Sequence, residues 1–330
     1  MKTTRRPRRL LPLVALAVAG CASPLSTLEP AGPAASEIAL LWWVMFWASL
    51  AILLVTLGLA LIAALRATGH GSTTRNRLLV IGGGVLWPTA TITGLIVYAV
   101  YSGQHLMAVP VGERAFQIEI TGHQFWWEVR YPDGPDGATI HDANEIHIPA
   151  GRPVDVHITT EDVIHSFWVP RLGGKLDAIP GITNVLRIEA DAPGTYRGLC
   201  AEFCGAQHAR MGFVVYAHEE EALAEELARI AEIAPAPEAQ ELDGAALFEA
   251  ECATCHSADT ASRSPGPAPN LARVAERSHI AAGWFPNDSD ALRRWVREHQ
   301  TLKPGNLMPV MDHLSDEEID AVAAYLEAIP

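Results

Sequence analysis

The sequence predicts three kinds of structure in series: two transmembrane α-helices, then an all-β domain, then an all-α domain. Three observations carry that prediction. Residues 38–65 and 78–104 contain no charged side chain, and each run exceeds the roughly 20 residues a helix needs to cross a bilayer. From Gly112 to His218, short β-branched runs (FQIEITG, EIHIP, VDVHITT, NVLRIEA, GFVVYAH) alternate with Pro, Gly and Asp clusters, the pattern of a sandwich or barrel. Toward the C-terminus apolar residues recur at helical spacing. A chain of 330 residues, 49% of them hydrophobic, has room for two small domains besides the membrane segments.

The first 20 residues are a separate object. Lys2, Arg5, Arg6, Arg8 and Arg9 precede an apolar run from Leu10 to Gly20, too brief to span and shaped like a secretory signal. Val18-Ala-Gly-Cys21 looks like a bacterial lipoprotein cleavage box and predicts a lipid on Cys21; an uncleaved stretch with an inert cysteine is the alternative. Residues 21–36 then link to a membrane hairpin at 37–105, with helices at 38–65 and 78–102. Trp42, Trp43, Trp47, Tyr98 and Tyr101 suit interfacial belts, and Pro88 predicts a kink. The connection between the helices carries Arg66, Arg75 and Arg77 and no acid. That bias puts it in the cytoplasm and everything beyond residue 105 on the outer, periplasmic face of a bacterial inner membrane. Loss of the five basic leader residues takes the formal charge from −14 to −19, which suits attraction of a basic protein partner and equally suits simple solubility.

The all-β domain is expected at 112–218 and a linker at 219–241, rich in Glu and Ala and ending in Ala-Pro-Ala-Pro-Glu-Ala-Gln, a partly helical, semi-rigid spacer. Residues 242–330 form the all-α domain. Asp243 can cap a helix through LFEAECATCH; Leu292, Trp295 and Val296 mark a second; Ser315 with Glu318 makes a capping box before Ile319, Val322 and Leu326.

Two motifs carry chemistry. Cys200-Ala-Glu-Phe-Cys204-Gly-Ala-Gln-His208-Ala-Arg-Met211, preceded by His165, gathers thiolate, imidazole and thioether donors, a mixture that favours copper. Cysteines at i and i+4 with a histidine at i+8 also line a helix face, but the flanks are β-rich and Pro193, Gly194, Gly198 and Gly205 punctuate them, so a loop between strands is expected. A Cys200–Cys204 disulfide is the other alternative in an oxidising compartment; it leaves His208 and Met211 without a role. Cys252-Ala-Thr-Cys255-His256 is the pattern of covalent haem attachment. Zinc would want a second close pair of ligands, and His279, His299 and His313 are scattered. Cys21 to lipid, Cys200 and Cys204 to copper, Cys252 and Cys255 to haem uses every cysteine.

The C-x3-C-x3-H-x2-M spacing, the thirty-four residues between His165 and Cys200, and Glu202 resemble subunit 2 of the cytochrome c oxidase family. The resemblance implies a cupredoxin-like Greek key holding the binuclear CuA centre. Cys200 and Cys204 would bridge two coppers, His165 and Met211 completing one, His208 and the Glu202 carbonyl the other. The Glu202 side chain would reach a magnesium ion at the border with subunit 1; Asp177, in Lys175-Leu-Asp-Ala-Ile-Pro-Gly181, is a weaker candidate, and Ile182 stands where the family usually has arginine. Gly122-His-Gln-Phe-Trp-Trp-Glu128 resembles the aromatic electron-input patch, with Phe125 in the usual tryptophan place and Trp126 and Trp127 following. Ile81 replaces a glutamate that the family often carries in its second helix. His123, His141, His147 and His157 are expected to be ordinary strand or surface histidines.

Residues 242–330 resemble a class I cytochrome c, with His256 the proximal haem ligand and Met308 the sixth, Met311 being the alternative; a His/Met pair raises the potential. Together the two resemblances imply subunit 2 of a caa3-type oxidase with a fused donor, tethered so that encounter becomes intramolecular. The expected partners are subunits 1 and 3, with a soluble or membrane cytochrome c or the bc1 complex as donor; oxygen reduction and proton pumping belong to subunit 1. The rival readings are the CuA subunit of a nitric oxide reductase and a membrane-anchored copper-binding or delivery protein with a haem domain.

Overall fold

The computed structural model describes residues 23–65, 72–106, 115–232, 244–288 and 290–329. The leader at 1–20, Cys21, Arg66, the end of the linker at 233–241 and the Asp243 cap lie outside the described residues. The chain divides into two units, one of residues 37–109 and one of the rest.

The first unit holds the apolar helices. Most of α1 (Pro33–Leu65) lies in it, with a second span built from α2 (Thr73–Leu78), a π-helical stretch Leu79–Leu86 and α3 (Trp87–Leu106). Both spans are long and apolar enough to cross a membrane. Leu54, Val55, Val97 and Val100 are exposed along them, as side chains that meet lipid rather than a protein core must be. The π winding ends where Trp87 N–H donates to Gly82 carbonyl, just ahead of Pro88. A proline there has no N–H for the i−4 ladder, and the widened turn absorbs the defect.

The second unit begins its main fold with two five-stranded sheets. One has the order β3 (Ile140–Ala143), β2 (Trp126–Tyr131), β1 (Phe116–His123), β5 (Val154–Thr160), β8 (Asn184–Ile188); the other has β4 (Glu145–Pro149), β10 (Gly212–His218), β9 (Gly194–Cys200), β6 (His165–Trp168), β7 (Leu176–Ala178). β1 runs parallel to β5 and β10 parallel to β4, the remaining pairs being antiparallel. Alternation does what a period of two requires: Val154, Val156 and Ile158 point inward from β5 and Asp155, His157 and Thr159 do not. Trp127 from the first sheet meets Phe167 and Phe213 from the second, so the core lies between the sheets. Gly198 is needed there, because a Cβ would land 2.1 Å from the Phe213 ring.

The segment expected as a spacer from 219 starts as a packed helix. α4 (Glu220–Ala231) buries Leu223, Leu227 and Ile230 in the sandwich core, an apolar stripe at i, i+4 and i+7.

Beyond it stand α5 (Gly244–Glu251), a two-stranded ribbon β11 (His279–Ile280) and β12 (Phe285–Pro286), α6 (Ala291–Leu302) and α7 (Asp316–Ala328). Phe248, Leu292, Val322 and Leu326 form their core. Ser315 and Glu318 make the expected capping box, each side chain meeting the other's backbone N–H. This helical domain does not hang free on its tether. Arg277 Nη2 pairs with Asp142 at 2.8 Å, both buried; Arg263 pairs with Glu128 at 2.8 Å; Ser278 N–H donates to Glu145 at 2.9 Å. Backbone bonds from His141 to Thr260 and from Gly212 to Ala282 cross the same seam.

Candidate metal centre and haem pocket

The loop from β9 to β10 is closed at its neck by the Cys200 N–H donating to the Met211 carbonyl at 2.9 Å. Every candidate ligand from Cys200 to Met211 therefore hangs on one stapled hairpin. The two cysteine sulfurs lie 3.9 Å apart, well beyond the ~2.05 Å of a disulfide, so the disulfide alternative fails. His165 Nδ1 is 3.9 Å from Cys200 Sγ, and the Glu202 carbonyl oxygen is 3.2 Å from the same sulfur. His208 Nδ1 and Met211 Sδ each lie 3.8 Å from Cys204 Sγ. Donors that share an ion through bonds of about 2.0–2.3 Å sit roughly 3–4 Å apart. Spacing and chemistry both fit soft-ligand copper.

Neighbouring residues aim these donors. His165 Nε2 meets Asp162 Oδ1 at 2.7 Å, which turns Nδ1 toward the sulfurs as carboxylate–histidine pairs do at metal sites. Gly122 leaves room for the imidazole, since a Cβ there would come 2.8 Å from the ring. The hydrogen bond between the cysteines, with help from His165, holds Cys200 far below the usual thiol range, while the same contact and burial push Cys204 up. A bound metal takes both as thiolates. On the outer side of the loop, Lys175 Nζ stands between Glu202 (3.5 Å) and Asp177 (3.7 Å). A divalent cation on these carboxylates would have to displace that ammonium.

The haem pocket is built at the end of α5. His256 N–H donates to the Cys252 carbonyl at 2.9 Å, so the CATCH segment wraps one helical turn and presents both cysteines and the imidazole to one cavity. That cavity holds about 210 Å³, far above the ~10–15 Å³ of a single water. His256 Nδ1 bonds the Pro269 carbonyl at 2.7 Å; a carbonyl only accepts, so Nδ1 carries the proton and the lone pair sits on Nε2. Met308 and Met311 both line the cavity. The Met308 backbone is pinned by Asn306 Oδ1 on its N–H and by His299 and Gln300 on its carbonyl; Met311 is buried with Val296 and Ile319. Two sulfurs for thioether bonds, an oriented imidazole and an apolar void fit a haem.

The aromatic triplet does not act as one exposed patch. Trp127 is fully buried beside His165, Phe167 and Phe213. Phe125 and Trp126 line the haem cavity under the helical domain, and Trp126 Nε1 reaches the Pro267 carbonyl at 3.4 Å. Phe125 also packs over Gly205, where a Cβ would sit 3.1 Å from its ring and where φ is +130°.

Several functional residues escape sequence reasoning. Gln124 Nε2 donates to the Cys204 carbonyl at 2.6 Å and its N–H to Asp162; only the place of Asp162 three residues before His165 hints at this. His123 and His141 sit in strands as expected, but they are tied to a buried acid. His123 stacks on Trp126 and reaches Glu128 at 3.1 Å, with His141 at 3.9 Å. Burial alone would raise the Glu128 carboxyl, but hydrogen bonds from His123 and Arg263, with the His141 ring close by, hold it well below the carboxylate range. His147 is buried against His218 at 2.9 Å.

Comparison with known proteins identifies the family. Residues 136–218 match the family model for the periplasmic domain of cytochrome c oxidase subunit II, and residues 242–330 match that for cytochrome c. Cytochrome c oxidase subunit 2 of Alkalihalophilus pseudofirmus is 33% identical over 100% of this chain and 99% of its own length. The Bacillus subtilis protein of the same name is 30% identical over 97% and 96%. Among solved structures, the periplasmic domain of subunit II of cytochrome oxidase from Bradyrhizobium japonicum is 30% identical, covering 36% of this chain and 96% of that one with a TM-score of 0.34. With a soft-metal loop on the sandwich, a haem pocket on the helical domain and full-length relatives alike at both ends, the chain belongs to the cytochrome c oxidase subunit 2 family and carries a cytochrome c domain, a component of an oxidase complex.

Proposed function

We propose that this chain is the electron-input subunit of a caa3-type cytochrome c oxidase. It accepts electrons through a covalently attached haem c and passes them through a binuclear CuA centre to subunit 1, where oxygen is reduced to water with proton pumping. A shared wall carries the reading: Gln124, which bonds the Cys204 carbonyl, lines the haem cavity together with Phe125 and Trp126.

Bound copper and haem supply one-electron chemistry. Cys200 and Cys204 would hold the metal pair between them, with His165, Met211, His208 and the Glu202 carbonyl completing the donor set. Strand-held ligands resist rearrangement between oxidation states. Cys252 and Cys255 would take the thioether bonds, and His256 and Met308 would ligate the haem iron, Met308 being favoured over Met311 by its pinned backbone. Phe125 and Trp126 fill the gap between the two sites and exclude water from it. The Glu202 carboxylate, half exposed beside Lys175, is left for a magnesium ion completed by subunit 1. Two spanning helices, with the connection Arg66–Arg77 inside, put the sandwich and haem domain on the periplasmic face. Residues 1–20 are a lipoprotein signal and Cys21 carries the lipid. Subunits 1 and 3 are the membrane partners, and a soluble or membrane cytochrome c or the bc1 complex is the donor.

The test is the metal content and the optical and paramagnetic spectra of the purified full chain. Two coppers sharing one unpaired electron and one covalent haem are expected. A single isolated copper, or haem released by acid acetone, overturns the reading.

A further inference from the structure

Lys303 is a buried cation that lacks an anion. It is 3% exposed, and its Nζ donates only to backbone: to the Ala281 carbonyl at 3.0 Å within the helical domain and to the Phe125 carbonyl at 3.2 Å in the sandwich. Among the described residues, no carboxylate pairs with it. Burial first, and then repulsion from Arg210, draw its pKa down to about 7. An ammonium taken out of water without a counter-charge is costly, so buried charges are normally paired. Lys303 lines the cavity that receives Cys252, Cys255 and His256, and so does Arg277. Arg277 spends Nη2 on Asp142 and on the Asn270 and Ala272 carbonyls, but its buried Nε has no partner. Two cationic side chains with unspent capacity therefore border one largely apolar void. The haem that the CATCH segment would hold brings two propionate carboxylates, which thioether attachment leaves untouched.

We propose that Lys303 and the Nε of Arg277 receive the haem propionates, so that the acid groups of the cofactor help bind the helical domain to the turn between β1 and β2. Lys303 is thus a positioning residue: it holds both the Phe125 backbone and one edge of the porphyrin. The inference rests on the covalent-haem reading above. It reverses the usual order of dependence, since attaching haem then tightens the seam between the domains as well as filling the pocket.

The experiment uses the full chain loaded with haem and copper, as wild type, Lys303→Met, Lys303→Gln and Lys303→Arg. Lys303→Gln keeps a neutral donor for the two carbonyls and guards against a folding failure of Lys303→Met. Redox-difference infrared spectra with isotope-labelled propionates are read beside the haem–copper electron equilibrium. Removing the cation favours ferric haem, so the neutral variants should shift the propionate band and move the equilibrium about tenfold toward reduced copper, about 59 mV for one electron. Lys303→Arg should restore both. Unchanged propionate bands in protein that retains haem and copper overturn the proposal alone, as does a shift confined to the copper potential, which would assign Lys303 to the thiolates. Wild-type protein without covalent haem overturns the underlying reading and the proposal with it.

Discussion

The copper loop and the haem pocket are finished in opposite ways. Twelve consecutive residues and His165 supply every candidate copper donor, and the Cys200–Met211 backbone bond closes the neck of the loop, with Gln124 and Asp162 bracing it from outside. The haem pocket takes most of its lining from the helical domain and the rest from Gln124, Phe125, Trp126 and Asn144 of the sandwich. A locally closed site answers to substitutions in its own loop. A site closed by docking answers to ion pairs some way from its chemistry.

The largest effect should come from breaking the local site. Cys204→Ser removes the sulfur that approaches Cys200, His208 and Met211, and copper should fall from two ions per chain to one or none while haem content stays whole. Metal analysis of the purified protein checks this, and full copper retention would remove Cys204 from the ligand set. Next comes the seam. Arg277→Met leaves Asp142 buried without its partner, a loss of about 3–5 kcal/mol for a broken buried pair. Calorimetry should then resolve the helical domain melting before the sandwich, with copper content intact. A single unchanged transition would show that the seam does not depend on this pair.

A smaller change sharpens the contrast from the copper side. Asp162→Asn keeps the shape beside His165 Nε2 but weakens the orienting contact at 2.7 Å, and copper affinity should drop about 10–100-fold. Competition against a chelator of known affinity reads this directly. The pocket-side readout, haem content, should not move.

What could be read from the sequence follows the same division. The copper donors lie in one short run, so residue type and spacing exposed them, and the capping box of Ser315 and Glu318 was visible because its partners are three residues apart. Lys303 meets Phe125 across 178 positions and Arg277 meets Asp142 across 135; no periodicity announces such contacts. Trp127 looked like its neighbours Phe125 and Trp126, yet strand alternation sends it into the core and Trp126, next to it in β2, to the seam, where Phe125 in the turn before β2 also lies. The spacer reads as partly helical, but its packing against the sandwich is easily overlooked because Leu223, Leu227 and Ile230 are few among many Glu and Ala, though their spacing marks a buried stripe.

The mildest test of the seam is acid. Glu128 sits at it with a carboxyl held well below the usual carboxylate range by His123, His141 and Arg263, which outweigh burial. A depressed folded pKa contributes stability that is full above the unfolded value and disappears as pH falls below it, because the unfolded chain then binds the proton more readily. At pH 4 the loss from this one group should be about 1 kcal/mol, and it should grow with each further step down. Other carboxyls, Asp162 and Glu226 among them, are also held below their usual range, so the informative quantity is the difference between wild type and Glu128→Gln. The variant should start less stable at pH 7 and show a shallower decline between pH 5 and pH 3 in thermal melts of the haem-loaded chain. Parallel curves would mean that Arg263 and the two histidines do not hold Glu128 ionised at the seam, and would leave Arg277 and Lys303 as its principal charges.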